Sequence, residues 1–167
     1  MQTAAIIDRL LGEALASLYS DSGDVTLSEA CRIAARAEEH ARVIGVPVAV
    51  SVADREGRQI LFHSMANILP ASAQLATDKA WTAAAFRMGT DALGQLAAPG
   101  QMLFGVEANL GGRVVVFGGG IPFARKGRLC GAIGISGGSV NEDMEIARHA
   151  LGEAFEQAGP GPKTEKR

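Results

Sequence analysis

The chain has 167 residues, of which 47% are hydrophobic, 20% are charged and 5% are aromatic. This amount of apolar side chain can offset the entropy lost on ordering one domain, which excludes a disordered chain. The 16 basic and 18 acidic residues give a formal net charge of -2. No nucleic-acid partner is expected, because nucleic-acid binders have a strongly basic balance and often an aromatic stacking surface.

The start of the chain and its cysteines indicate the compartment. No apolar run approaches the roughly 20 residues that a membrane helix needs, so no membrane partner is expected. The first residues lack the basic region and apolar core of a secretory signal, which favours a cytoplasmic protein. Cys31 and Cys130 are far apart and form no CxxC motif, so we expect two buried thiols rather than a disulfide.

Three segments divide the chain. Apolar residues at helical spacing predict an N-terminal helix over 3–19, and residues 1–24 form this helix and its linker. Residues 25–158 are expected to form one domain. The charged, Pro- and Gly-rich residues 159–167 are expected to form a disordered tail.

The elements of the domain follow in chain order. A capping box at Thr26 and Glu29 opens a helix that should end at Ile44, before Gly45. Strands over Val46–Ala53 and Gln59–His63 form a hairpin, and helices are expected over 71–87 and 91–97.

Strands over Val114–Phe117 and Leu129–Ser136 come next, with a hairpin turn at 125–128. A second capping box, Ser139 with Glu142, begins a last helix that should reach about Gln157. Hairpin connections favour an antiparallel sheet with helices on its faces, which is an α+β fold.

Glycine is concentrated near the end of the domain, where ten of the 28 residues of 111–138 are Gly. Glycine allows a close approach to the main chain, so the segment could hold a ligand. Tight turns and the close packing of a helix or a second subunit on the sheet explain it equally well. The run fits neither a P-loop nor a dinucleotide-binding loop. At its end, Ser139 could help to hold an anion at a helix start, although its role as a cap already explains it.

Lys79 lies on a helix whose other residues nearby are mostly apolar. Such a lysine could bind an anion, or act as a general base if burial lowers its pKa, with Asp54 or Asp78 as a partner. The alternative is a structural lysine, either extended toward solvent or ion-paired with Asp78 or a distant carboxylate.

The chain has three histidines and no recognisable metal-binding motif among them. His40 and His149 fall beside charged residues of their helices, which is typical of surface positions. His63 ends a strand and precedes a long loop, which is a better place for a ligand. Each histidine alone is also typical of a structural or surface group.

Several motifs together resemble one known family. In order and spacing, Val50–Gly57, Met65, Thr77–Ala83, Gly118–Pro122 and Gly131–Gly138 are similar to the GlcG/HbpS family, which includes the C-terminal domain of PduO-type proteins. The resemblance covers roughly residues 26–155. It implies a profilin-like three-layer α/β/α fold, with a central antiparallel sheet of about five strands. It also implies a homo-oligomer, either a dimer or a higher assembly of dimers.

The same resemblance bears on function. Some family members bind or degrade haem, some domains occur beside cobalamin chemistry, and others are encoded with catabolic pathways. This chain departs from the family at two positions, because Ser64 and Ala66 flank Met65 where the family usually has an arginine and an acidic residue. An anion contact made by that arginine is therefore lost, or His63 replaces it.

The resemblance leads to a first hypothesis, a protein that binds haem or another tetrapyrrole in a pocket at a subunit boundary. Lys79 would pair with a ligand carboxylate, and His63 or His40 would ligate the iron. The pocket would form where the helix of Lys79, the loop at His63–Met65 and the loop at Gly118–Pro122 meet. Its ligand-contacting residues would be His63, Met65, Lys79, Gly118, Gly119, Gly120 and Pro122.

Two other hypotheses remain open, and with them the question of whether the chain is an enzyme. One is a catabolic tautomerase, lyase or hydrolase that acts on a small carboxylate or enol. Its catalytic residues would be Lys79, as base or anion anchor, and Asp54. The other is an accessory oligomer that binds no small ligand.

Overall fold

A computed structural model describes residue 7 and residues 23–158. The predicted segments 3–19 and 159–167 lie outside the described residues, apart from residue 7. Within the described part of the chain, no helix combines the length and the hydropathy that crossing a bilayer requires.

The described residues form four α-helices and one five-stranded sheet. The helices are α1 (Leu27–Ile44), α2 (Pro70–Phe86), α3 (Thr90–Ala97) and α4 (Val140–Leu151). The strands are β1 (Ala49–Asp54), β2 (Gln59–Ser64), β3 (Gly120–Arg125), β4 (Arg128–Ser136) and β5 (Glu156–Gln157). The sheet order is β2-β1-β4-β3-β5, and every neighbouring pair is antiparallel. The predicted α+β fold with a five-stranded antiparallel sheet is confirmed.

Local sequence signals explain where the two longest capped helices begin. The Thr26 hydroxyl accepts a hydrogen bond from the Glu29 amide, and the Glu29 carboxylate accepts one from the Thr26 amide. Ser139 and Glu142 make the same reciprocal contacts at the start of α4. Both predicted capping boxes are confirmed, and α1 ends at Ile44 as predicted, with Gly45 as its C-cap at a φ of 74°.

The sheet separates two helical layers. Val48, Val50 and Val52 point into the main core, which they share with α1 and α4. The alternate residues of β1 point to the other face, which α2 covers. On that face a Cβ at Gly134 would lie 2.0 Å from the carbonyl oxygen of Ala76, so only glycine lets α2 pack this closely. The interpretation of this glycine as a close-packing residue is confirmed.

The structure corrects three predictions. Residues 114–117 form no strand: Val114 and Val115 are buried, and the Val115 amide donates to the Thr82 hydroxyl. The strand begins at Gly120 instead. The last helix ends at Leu151 rather than near Gln157, since a 3-10 turn at Gly152–Ala154 leads into β5. Cys130 is buried as expected, whereas Cys31 is exposed.

Candidate functional site

Lys79 is buried in the centre of the molecule, with 1% of its surface exposed. Its ammonium donates to the Asp143 carboxylate at 2.6 Å and to the carbonyl oxygen of Ile135 at 2.8 Å. The Phe117 ring lies 5.1 Å from the same nitrogen. The alternative of an ion pair with a distant carboxylate is confirmed, and the partner is 64 positions along the chain.

Asp143 links three elements through this contact. Its second carboxylate oxygen accepts hydrogen bonds from the amides of Gly137 and Gly138, at 3.1 and 3.0 Å. Burial lowers the pKa of Lys79 and raises the pKa of Asp143, and the contact between them works against both shifts. The pair therefore ties α2 to the end of β4 and the start of α4.

The glycine loop, residues 118–120, packs over this ion pair. A Cβ at Gly119, whose φ is 116°, would lie 2.6 Å from the Lys79 nitrogen. A Cβ at Gly120 would lie 2.5 Å from the Lys79 carbonyl oxygen, and one at Gly118 would lie 2.7 Å from the Met144 side chain. The close approach that these glycines permit is to Lys79 and α4, and it leaves no room for a ligand between them.

The remaining predicted partners of Lys79 bind elsewhere. Asp54 is buried at the β1–β2 turn, where it accepts hydrogen bonds from the amides of Glu56 and Arg58 and from the Arg58 guanidinium. Asp78 pairs with Arg113 at 3.0 Å. Pro122 is buried within β3.

His63 lies on β2, the strand at one edge of the sheet. Its Nδ1 is 2.7 Å from the Glu38 carboxylate, and Glu38 also pairs with Arg42 at 2.9 Å. The His63 side chain is 43% exposed, and its Nε2 has no hydrogen-bond partner among residues 23–158. A carboxylate that fixes one imidazole nitrogen while the other stays available is the arrangement found around histidine metal ligands.

His40 is held by two contacts. Its Nε2 is 2.7 Å from the Glu145 carboxylate, and its ring stacks on His149 with a centroid distance of 4.2 Å and an angle of 14°. Its side chain is only 18% exposed. A ligand at the Nε2 of His40 would have to displace Glu145.

The three predicted stretches do not meet in one open pocket. Lys79 and the glycine loop are together but packed against each other. His63 is opposite Val50 in the β1–β2 ladder, so it lies on the α1 face of the sheet, whereas α2 covers the other face. Met65 packs against the main core, and its sulfur is 3.5 Å from the Val48 amide.

The sequence did not identify the carboxylate partners of Lys79 and His63, which are Asp143 and Glu38. Asp143 has the position of an ordinary acidic residue in the first turn of a capped helix, so nothing local distinguished it. Glu38 lies 25 residues before His63. A buried lysine needs a carboxylate partner, and this rule is what the sequence offered for predicting a contact between Lys79 and Asp143.

No cluster of three or more His, Cys, Asp or Glu side chains in the described part of the chain could hold a bare metal ion. Fold and site together define an α+β domain with a sealed Lys79–Asp143 ion pair and an exposed His63 whose Nδ1 is held by Glu38. The chain belongs to the HbpS-like family, since the family model described as "Haem degrading protein HbpS-like" matches residues 25–152.

Three relatives illustrate this family. The corrinoid adenosyltransferase PduO of Salmonella typhimurium is 45% identical over 115 residues, which are 69% of this chain and 34% of that protein. The chain thus spans about a third of the length of this curated relative. A crystal structure of a PduOC:heme complex is 39% identical, with a TM-score of 0.76 over 83% of this chain and 99% of that one. HbpS from Streptomyces reticuli, solved as a double mutant, is 28% identical, with a TM-score of 0.71 over 78% and 88% of the two chains.

Proposed function

We propose that this protein binds haem or a related tetrapyrrole, and that His63 would hold its metal. The observation that carries the proposal is the state of His63: its Nδ1 is held by Glu38, its Nε2 has no partner among the described residues, and its side chain is exposed. The PduOC:heme complex supports haem as the ligand, because that protein has the same fold. When bound, haem would supply the redox and ligand-binding chemistry of its iron.

Glu38 has a defined part in this proposal. A carboxylate beside Nδ1 accepts a hydrogen bond from the Nδ1–H group and leaves the lone pair on Nε2, the nitrogen that has no hydrogen-bond partner among the described residues. The ion pair between Glu38 and Arg42 holds the carboxylate in place. The orientation of the His63 ring is therefore set before any ligand arrives.

The same geometry ranks His63 above His40 as the ligand. Coordination by the Nε2 of His40 would break its contact with Glu145 and disturb the stack with His149. Coordination by the Nε2 of His63 breaks no hydrogen bond within the described residues. Both histidines were candidates from the sequence, and the difference between them follows from their partners.

The proposed site is at a subunit boundary. β2 pairs only with β1 within the described sheet, so its outer edge is available to a second copy of the chain. Phe62 on this strand is 38% exposed and lies on the face opposite His63, so both faces of the edge strand present side chains to a second copy. A tetrapyrrole has two apolar faces and the edge of one subunit covers one of them, so a homo-oligomer would cover the second. We further propose that the protein acts in the cytoplasm, in a catabolic setting.

The proposed catalytic role of Lys79 receives less support. The lowered pKa of Lys79 has the direction that a general base requires. A base must also reach its substrate, and this ammonium is bound to Asp143 and Ile135 below the glycine loop. Lys79 thus serves best as a structural group that ties α2 to the end of β4 and the start of α4, and binding without catalysis is the function we propose.

Titration of the haem-free protein with haemin, followed through the Soret band, tests the proposal. We expect a shifted Soret band for the wild type and for His40→Ala, and loss of this band for His63→Ala. His149→Ala is the matched control, since it removes the third histidine of the chain. An unchanged spectrum for His63→Ala would refute the ligand assignment. A parallel titration with aquocobalamin shows whether a corrin competes for the same site.

A further inference from the structure

A cavity outside the candidate functional site lies between α1, α4 and the ends of β3 and β5. It is distinct from the Lys79–Asp143 pair and from the His63–Glu38 pair. Its volume is about 300 Å³, at the lower end of the range of small-molecule pockets. Its floor is apolar and includes Ile33, Leu151 and Phe155. None of the predicted site residues lines it, so it is independent of the haem proposal.

Two guanidinium groups at its rim have no carboxylate partner among the described residues. Arg36 donates to the carbonyl oxygen of His149 at 3.1 Å, and Arg32 donates to the Ser28 hydroxyl at 3.1 Å. The two arginines are one helical turn apart, where like charges repel each other. A bound anion would relieve this repulsion.

Arg36 is fixed in place by the end of α4. Its guanidinium lies so close to Gly152 that a Cβ there would be 2.1 Å from the Nη2 of Arg36. The backbone at this position, with φ at 55°, also favours glycine. The guanidinium is therefore positioned before a ligand binds, and its remaining N–H groups are available.

The third arginine of the rim is paired. Arg125 contacts the Glu29 carboxylate and lies 5.3 Å from the centre of the Phe155 ring. Burial raises the pKa of Glu29, but hydrogen bonds with Thr26 and the charge of Arg125 outweigh it, so the pKa is lowered and Glu29 stays ionised. Three cations against one carboxylate leave the lining of the cavity with two uncompensated positive charges.

We propose that this cavity binds a small amphipathic carboxylate. The carboxylate would lie between Arg32 and Arg36, because guanidinium groups recognise carboxylates through paired, charge-assisted hydrogen bonds. The apolar body of the ligand would lie on the floor formed by Ile33, Leu151 and Phe155. A purely inorganic anion would satisfy the rim and leave this floor uncovered, so it would bind less well.

Calorimetric titration of the full-length, haem-free protein with 2-naphthoate tests the proposal, with 2-naphthamide as its uncharged counterpart. We expect the naphthoate to bind and the amide to bind at least about tenfold more weakly, as the loss of a charge-assisted contact requires. Arg32→Gln should weaken naphthoate binding about tenfold. Arg87→Gln is the matched control, since Arg87 is exposed and does not line the cavity.

A second variant tests the apolar floor without changing any charge. Ala154 is exposed and lines the cavity, so Ala154→Trp should fill the space, abolish naphthoate binding and leave the protein folded. Equal binding of naphthoate and naphthamide would overturn the proposal, as would equal affinities of the Arg32→Gln and Arg87→Gln variants. Displacement of naphthoate by one equivalent of haemin would show one shared site and overturn the independence of the two. If His63→Ala loses haem and still binds naphthoate, the sites are separate.

Discussion

Two side-chain pairs with contacts of nearly equal length have different roles in this molecule. Lys79 and Asp143 are 2.6 Å apart, with 1% and 4% of their side chains exposed. His63 and Glu38 are 2.7 Å apart, with 43% and 20% exposed. In the first pair the protein surrounds both groups, whereas in the second one imidazole nitrogen has no hydrogen-bond partner among the described residues. Burial, rather than the length of the contact, separates a structural pair from a candidate binding pair.

The buried pair should give the largest effect when it is broken. Lys79→Met leaves Asp143 as an uncompensated buried carboxylate, so we expect a loss of about 3–5 kcal/mol in the free energy of unfolding. Urea unfolding measures this loss. The double variant Lys79→Met/Asp143→Asn should recover part of it, because no charge then remains buried. A single variant as stable as the wild type would contradict a sealed ion pair.

The close packing of α2 on the sheet should give the next largest effect. Gly134→Ala places a methyl group 2.0 Å from the Ala76 carbonyl oxygen, a backbone atom that moves only if the helix moves. We expect a loss of about 1–3 kcal/mol in urea unfolding. Gly100→Ala is the control. An alanine at its φ of 82° is strained, but its Cβ would have no heavy atom within 4 Å. Equal losses in both variants would show that α2 is not tightly packed.

The exposed pair should affect binding more than stability. Glu38→Gln removes the charge that holds the His63 ring, so we expect haemin affinity to fall about tenfold with little change in the unfolding midpoint. Glu39→Gln, at the neighbouring exposed position, is the matched control. Haemin titration and thermal unfolding of the same samples separate the two effects. A large loss of stability without a change in affinity would place this pair in the same class as Lys79 and Asp143.

Asp54 is intermediate, because its carboxylate is buried while its partner Arg58 is 70% exposed. Burial raises its pKa, but hydrogen bonds from Arg58 and the turn amides outweigh this and lower the pKa below its ordinary value of 3.8. Its stabilising contribution is therefore present above that value and lost as the pH falls through the lowered pKa. Asp54→Asn should cost about 1–2 kcal/mol at pH 7. This cost should shrink in urea unfolding under acid, and a cost independent of pH would contradict the lowered pKa.

Local signals predicted most of the fold. The two capping boxes, the β1–β2 hairpin and the helix around Lys79 each depend on residues close together in the chain, so the sequence was enough to find them. The segment 114–117 has the β-branched residues of a strand, yet Val115 bonds to Thr82 instead of a neighbouring strand. The true strand begins at Gly120 and contains Pro122, two residues that strands disfavour. Hydrogen bonding to distant segments determined that residues 114–117 form no strand and that residues from Gly120 onward form one.

The candidate site was harder to predict, because it depends on contacts between distant segments. The sequence singled out Lys79 and His63 as unusual, and both have carboxylate partners in the structure. It could not show that the glycine loop closes over Lys79, since the same glycines would equally permit a ligand to approach. It also could not place His63 and Lys79 on opposite faces of the sheet, which follows from the register of β1 and β2.

The position of the iron in crystals of the haem-loaded protein tests the central claim most directly. Anomalous scattering locates the iron without reference to the protein atoms. We predict iron at coordination distance from the Nε2 of His63, at the outer edge of β2, with Lys79 still bound to Asp143. Iron bound at His40, or a ligand inserted between Lys79 and the glycine loop, would contradict the division between the sealed pair and the exposed one.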